Sequence, residues 1–136
     1  NTIYLAGICG NGIRIANYMS KILSENTDHK IHVFEITLDK DHPLNSPVTM
    51  NIDPKELKDG FIVLIDDVLN SGKTMQYALV KLLEQPVNAI KTVALVDRRH
   101  RRYPIKCDYV GITLSTTLKD RVEINFDEKE YAAYLV

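Results

Sequence analysis

Two adjacent carboxylates, Asp66 and Asp67, close the apolar run Phe61-Ile-Val-Leu-Ile65, and a polar turn of Asn70, Ser71, Gly72, Lys73 and Thr74 follows. Like charges side by side at the end of a buried segment repel each other unless a cation or hydroxyl groups hold them. The turn offers backbone N–H groups, hydroxyls and the start of a helix, which together suit a phosphate. Acceptors for ring hydroxyls on one side and donors for an anion on the other describe a site for a phosphorylated sugar. The plain alternative is a pair of solvated strand-end acids. A Walker-type loop does not fit, because Asp67 stands where that loop needs its upstream glycine.

Some framework must carry these groups to one place. Thr2–Ala6, Lys30–Leu38, Phe61–Asp67 and Ala89–Val96 read as strands, the last ending in Asp97. Ile13–Ser24 has helical periodicity, with Ile15, Tyr18, Met19, Ile22 and Leu23 on one face, and a second helix is predicted from Lys73 to Glu84. Asp108–Leu114 and Arg121–Asn125 are shorter strand candidates, and Glu128–Tyr134 reads as a last helical turn. Asp39–Glu56, with three prolines, is a long connection of the kind that forms functional flaps. Strands alternating with helices predict an α/β fold: a doubly wound, mainly parallel sheet flanked by helices, with a flexible flap. Gly7-Ile-Cys-Gly-Asn-Gly12 follows the first strand, so parallel pairing puts it at the same sheet edge as the two acids. Its glycines either let backbone approach an anion or serve a tight turn only. The full dinucleotide fingerprint is missing, and Glu35 lies mid-strand, which disfavours a nicotinamide site.

At 136 residues with 45% apolar content, the chain (residues 1–136) reads as a single domain able to bury its own core. A net charge of −1 gives no global field toward nucleic acid or a membrane. Cys9 and Cys107 have no metal-ligand spacing, so a reduced, cytoplasmic setting is the simpler reading. No apolar run approaches the ~20 residues of a membrane span. The chain opens in strand-like sequence without a Met, and a leading segment is expected to be missing. Arg98-Arg-His-Arg-Arg102 is either a solvated loop or a patch for phosphate or RNA. Tyr109 and Val110 either stack on a base or belong to the core. His29, His32 and His42 show no ligand spacing.

With these residues in view, the chain resembles the type I phosphoribosyltransferases. Val63-Leu-Ile-Asp-Asp-Val-Leu-Asn-Ser-Gly-Lys-Thr74 is similar to that family's ribose-phosphate signature. The likeness is greatest to the pyrimidine operon attenuators that are also uracil phosphoribosyltransferases. Val96-Asp-Arg-Arg-His-Arg-Arg-Tyr-Pro-Ile-Lys-Cys-Asp-Tyr-Val-Gly111 resembles their VDRGHRELPIRADYVG stretch, and Ile36-Thr-Leu-Asp-Lys-Asp41 resembles their ITLYRDD. The resemblance covers nearly the whole chain except the usual N-terminal helix. It implies transfer of phosphoribose from phosphoribosyl pyrophosphate (PRPP) to a nucleobase, uracil by preference. Asp66 and Asp67 would hold the ribose hydroxyls, and Asn70, Ser71, Gly72, Lys73 and Thr74 the 5′-phosphate. Ile8, Cys9, Gly10 and Asn11, with Lys40 from the flap and Arg98, would bind pyrophosphate, the loop often carrying a non-proline cis peptide. Tyr109 and Val110 would flank the base. Mg²⁺ would bridge pyrophosphate and ribose, reaching Asp66 and Asp67 only indirectly. A homodimer or higher homo-oligomer is also implied. The alternative is a PRPP- or nucleotide-sensing regulator of pyrimidine genes that binds RNA.

Three departures from the pattern bear on function. Ile8-Cys-Gly-Asn11 replaces the attenuators' IKTR and loses a Lys and an Arg. Asn70 stands where hypoxanthine-guanine enzymes carry a proton-exchanging aspartate, which an amide cannot replace. Asp97 stands where those enzymes place a lysine toward the base.

Overall fold

A computed structural model describes residues 2–113, 122–127 and 130–135. Its centre is a six-stranded sheet built on the apolar segments of the sequence. The strands are β1 (Thr2–Ile8), β2 (Lys30–Thr37), β3 (Thr49–Met50), β4 (Phe61–Leu69), β5 (Ala89–Asp97) and β6 (Tyr109–Thr113), in spatial order β3-β2-β1-β4-β5-β6. All neighbours pair in parallel except β3, which lies antiparallel on β2. Near-continuous runs of Ile, Val and Leu suit such strands because both faces of the sheet are covered.

Helix α1 (Asn11–Asn26) covers one face and α2 (Lys73–Leu82) the other. The period-two alternation of the strands divides the core accordingly. Leu5 and Ile65 pack with Ile15 and Ala16 of α1. Ala6, Ile8, Ile62, Leu64 and Ala94 pack with Met75, Ala78 and Leu82 of α2. Doubly winding the sheet creates a switch point between β1 and β4, where the chain leaves neighbouring strands toward opposite faces. Open α/β sheets bind ligands in the crevice at such a point, at the carboxyl ends of the strands.

Several expectations change in detail. Strand β4 runs on to Leu69, past both acids, because Val68 and Leu69 still pair with Val96 and Asp97. The Asp39–Glu56 connection is not structureless: it holds short 3-10 turns at Pro43–Asn45 and Pro54–Leu57 and contributes β3. On α1, Tyr18 and Ile22 are 45% and 41% exposed, so only part of the predicted apolar face is covered. The expected last helical turn is a strand. β7 (Val122–Asp127) and β8 (Glu130–Leu135) form a separate antiparallel pair, with Phe126 opposite Tyr131 and Ile124 opposite Ala133. A segment that short cannot sustain a helix alone, whereas strand pairing satisfies its backbone at once. Among the described residues no helix is long and apolar enough to cross a membrane.

Candidate active site

The sheet brings the two sequence motifs into contact. Asn11 opens α1 after β1, and its Nδ2 donates to Asp67 Oδ2 at 3.0 Å across 56 residues of sequence. Close approach of the two loops requires a glycine at position 12, where a Cβ would stand 2.6 Å from the Ile65 carbonyl oxygen. Gly10, at φ 90°, turns the chain between strand and helix in a conformation that other residues rarely adopt. Every described peptide bond is trans, so the cis bond implied for this loop is absent.

The acids differ in environment. Asp66 is 4% exposed, and its Oδ1 accepts the Asp67 N–H at 2.9 Å and faces Lys40 Nζ at 3.6 Å. Burial pushes its pKa up from 3.8 to about 7, with the Lys40 ammonium pulling it back and the Asp67 carboxylate adding to the rise. Asp67 Oδ1 accepts the Val68 N–H at 2.8 Å. Solvated strand-end acids are therefore the wrong description of Asp66. No group of three or more His, Cys, Asp or Glu side chains able to hold a metal occurs among the described residues. Since Asp66 Oδ1 and both Asp67 oxygens already accept hydrogen bonds, the pair suits a cation arriving with its own phosphate and water ligands.

Beyond β4, Asp66 and residues 68–75 line a small open cavity. Gly72, in the left-handed region, leads into α2 without a side-chain cap, so the helix start presents its N–H groups to that cavity. Ser71 Oγ accepts the Lys73 N–H at 3.2 Å. Behind the turn, the Ser71 carbonyl accepts N–H groups of Arg102 and Tyr103 at 2.8 and 3.0 Å. The loop after β5 is thus a buttress for the turn at residues 70–74, a role the sequence did not reveal.

That loop resolves the basic run into separate parts. Arg98 is buried and donates from Nη1 to Asn70 Oδ1 at 3.1 Å, which groups it with the turn at residues 70–74 rather than with Ile8–Asn11. Arg101 grips Asp97 with two hydrogen bonds of 2.9 and 2.8 Å and donates from Nε to the Ile105 carbonyl. The guanidinium holds the Asp97 carboxyl below its ordinary range. Asp97 is therefore an anchor for the loop, and only its four-residue spacing to Arg101 hinted at the pair. Arg99 and Arg102 remain exposed.

Arg99 has φ 59°, a left-handed conformation, at the position of the glycine in the VDRGHR pattern. Side chains there cost roughly 1 kcal/mol or more relative to glycine. Arg99→Gly is expected to raise stability by roughly 0.5–1 kcal/mol, seen as a higher urea midpoint with an unchanged slope.

Tyr109 and Val110 are separated by the pleat. Asp66, Ala94 and Val110 form one register row across three strands, whereas Tyr109 pairs with Val93 in the next row. Adjacent strand residues face opposite sides, so Val110 shares the face of Asp66 and Tyr109 does not. Tyr109 is 62% exposed and is not a core aromatic.

Fold and site together define an α/β protein with an acid pair and a polar glycine turn at the sheet's switch point. Residues 1–131 match the phosphoribosyl transferase domain model, and the chain belongs to that family. It is 34% identical to the "Bifunctional protein PyrR" of Streptomyces coelicolor over 94% of this chain and 70% of that protein. It is 35% identical to the protein of the same name from Clostridium novyi, over 93% of this chain and 75% of that one. Among solved structures, a hypoxanthine phosphoribosyltransferase of Trypanosoma cruzi superposes with TM-score 0.68 at 20% identity, over 84% of this chain. This chain spans 62% of that enzyme's length, and the likeness shows a shared fold.

Proposed function

We propose that this protein transfers a 5-phosphoribosyl group from PRPP to a nucleobase nitrogen, uracil by preference, and releases pyrophosphate. The observation that carries this reading is the Asn11–Asp67 hydrogen bond, which joins the glycine loop to the acid pair beside the phosphate turn. Asp66 and Asp67 accept the ribose hydroxyls, residues 70–74 wrap the 5′-phosphate, and Ile8, Cys9, Gly10, Asn11 and Lys40 face the pyrophosphate. Arg98 acts by orienting Asn70, and Val110, on the face of Asp66, borders the acceptor.

As the bond from the anomeric carbon to pyrophosphate breaks, the sugar takes on oxocarbenium character. The chain's part is to position the ribose and to stabilise the departing anion with backbone amides and the Lys40 ammonium. Mg²⁺, when bound with the substrate, neutralises pyrophosphate charge, and Asp66 and Asp67 would hold it indirectly. The connection between β2 and β4 would close over the donor and exclude water, which limits hydrolysis.

Pyrophosphate release, followed with PRPP, Mg²⁺ and each of uracil, hypoxanthine, guanine, xanthine and adenine, tests the proposal. Release with uracil is expected, and no release with any base would sink it. Asp67→Ala is expected to weaken PRPP binding by about 30-fold or more, the cost of a lost charged hydrogen-bond acceptor, while the circular dichroism spectrum stays unchanged.

A second reading, a PRPP- or nucleotide-sensing regulator that binds RNA, draws support from the missing cations in Ile8–Asn11 and from a cavity beside the turn lined by Lys73, Arg98, His100 and Arg102. Its test belongs on exposed groups, Arg102→Ala and Lys106→Ala, because Arg98 and Arg101 hold the loop together. Salt-dependent RNA retention lost in both variants would favour the regulator.

A further inference from the structure

The connection leaving β2 is tied down at two points over the crevice. Asp39 Oδ1 accepts the N–H groups of Asp41 and His42 at 3.1 and 2.9 Å, folding the stem into a tight turn. From it, Lys40 reaches Asp66 Oδ1 at 3.6 Å, and its Nζ lies 3.8 Å from where a Cβ on Gly10 would stand. From the opposite wall, Lys73 Nζ donates to the Asp41 carbonyl at 3.2 Å. One ammonium thus spans the acid pair and the glycine loop, while a second fastens the same stem to the phosphate turn.

A half-exposed lysine on a surface stem adds little to folding through an ion pair. Its position matters more, because Lys40 Nζ sits where a ribose hydroxyl or a substrate-borne cation would meet Asp66. The glycine loop has no cation of its own, and Gly10 leaves open the space above it into which Lys40 extends. Resting on the transferase reading above, we propose that Lys40 is an internal stand-in ligand. In the free protein it occupies Asp66 and straps the stem at residues 39–42 across the crevice. On donor binding it passes to the pyrophosphate and releases Asp66 to the ribose.

The strap has a consequence for selectivity. A ligand that carries pyrophosphate gives Lys40 a new anionic partner as it displaces the old one. Ribose 5-phosphate must displace the ammonium and gives nothing in return. A ligand shifts an equilibrium only by its differential interaction with the two states, so the strap favours the intact donor over the bare sugar phosphate. Residue 40 then discriminates between ligands whose ribose and 5′-phosphate are identical.

Equilibrium titration of PRPP with Mg²⁺, and of ribose 5-phosphate, on the wild-type chain, Lys40→Met and Lys40→Arg tests the strap. Lys40→Met is expected to weaken PRPP about tenfold, the worth of a charge-assisted contact, and to tighten ribose 5-phosphate by about three- to tenfold. Lys40→Arg keeps the wild-type order. Lys40→Met weakening both ligands alike, or changing neither, overturns the strap while the transferase reading stands. A wild-type chain that binds neither ligand overturns both. A second readout needs no ligand: chymotrypsin should cut the free Lys40→Met protein several-fold faster at Leu44, which is 84% exposed. An unchanged rate there also overturns the strap.

Discussion

Asp66→Asn is expected to stabilise the free protein at pH 8 by an amount on the order of 4 kcal/mol, with no gain at pH 3.5. Asp66 is 4% exposed, and burial lifts its pKa from 3.8 to about 7. Between those values the folded chain holds a proton that the unfolded chain releases. Rising pH therefore favours unfolding across that window, and the penalty is complete above about pH 7. Below the ordinary carboxylate range both states are protonated, and the penalty vanishes. Three pH units at about 1.4 kcal/mol each set the magnitude. Asparagine has the same shape, and its Oδ1 still accepts the Asp67 N–H now bound at 2.9 Å. Urea denaturation from pH 5 to 8 should show a downward slope in the wild-type chain that Asp66→Asn removes. Identical slopes would mean that Asp66 is not the group responsible. Stability gained by removing a buried charge is the pattern expected of a residue retained for binding.

The same residue shows why part of the site was legible in the sequence. An apolar strand that carries two adjacent acids has no structural motive for them, so the chemistry stands out against the pattern. The glycine loop was legible for a related reason, since it interrupts one βα unit as the acid turn interrupts another. Parallel topology did the rest, and the Asn11–Asp67 bond is its direct consequence.

What stayed hidden depends on contacts between segments whose local pattern says nothing of each other. Arg98–Asn70 and the bonds from Arg102 and Tyr103 to Ser71 arise because the loop after β5 folds back over the turn after β4. No periodicity encodes that path. Charge density alone leaves the run 98–102 open between a solvated loop and a binding patch, and it does not show that Arg101 commits its guanidinium to Asp97 and the Ile105 carbonyl. The error at β8 has another origin. Ala132 and Ala133 weaken the period-two signal, and the pairing with β7 decides the conformation. The charge of Asp66 and Asp67 suggests an end to β4 at Asp67, whereas backbone pairing is indifferent to side-chain charge and continues to Leu69.

Gly72→Ala is expected to cost about 2–4 kcal/mol, and the cost has two separable origins. Gly72 has φ 88°, where an L side chain adds about 1 kcal/mol of strain. A Cβ there would also overlap Ile105 Cγ2, and Ile105 is 7% exposed in the core beneath the loop. Overpacking of that kind typically adds about 1–3 kcal/mol. Ile105→Ala removes the obstructing methyl and leaves the backbone strain untouched. The double variant should therefore be at least about 1 kcal/mol more stable than the sum of the single effects allows. Additivity within about 0.5 kcal/mol would show that the two residues do not collide. Binding separates the two origins again. Overlap with Ile105 would push the turn out of place, so ribose 5-phosphate affinity should fall in Gly72→Ala and recover in part when Ile105→Ala is added. If affinity stays low in the double variant, the left-handed backbone of Gly72 itself is what the phosphate requires.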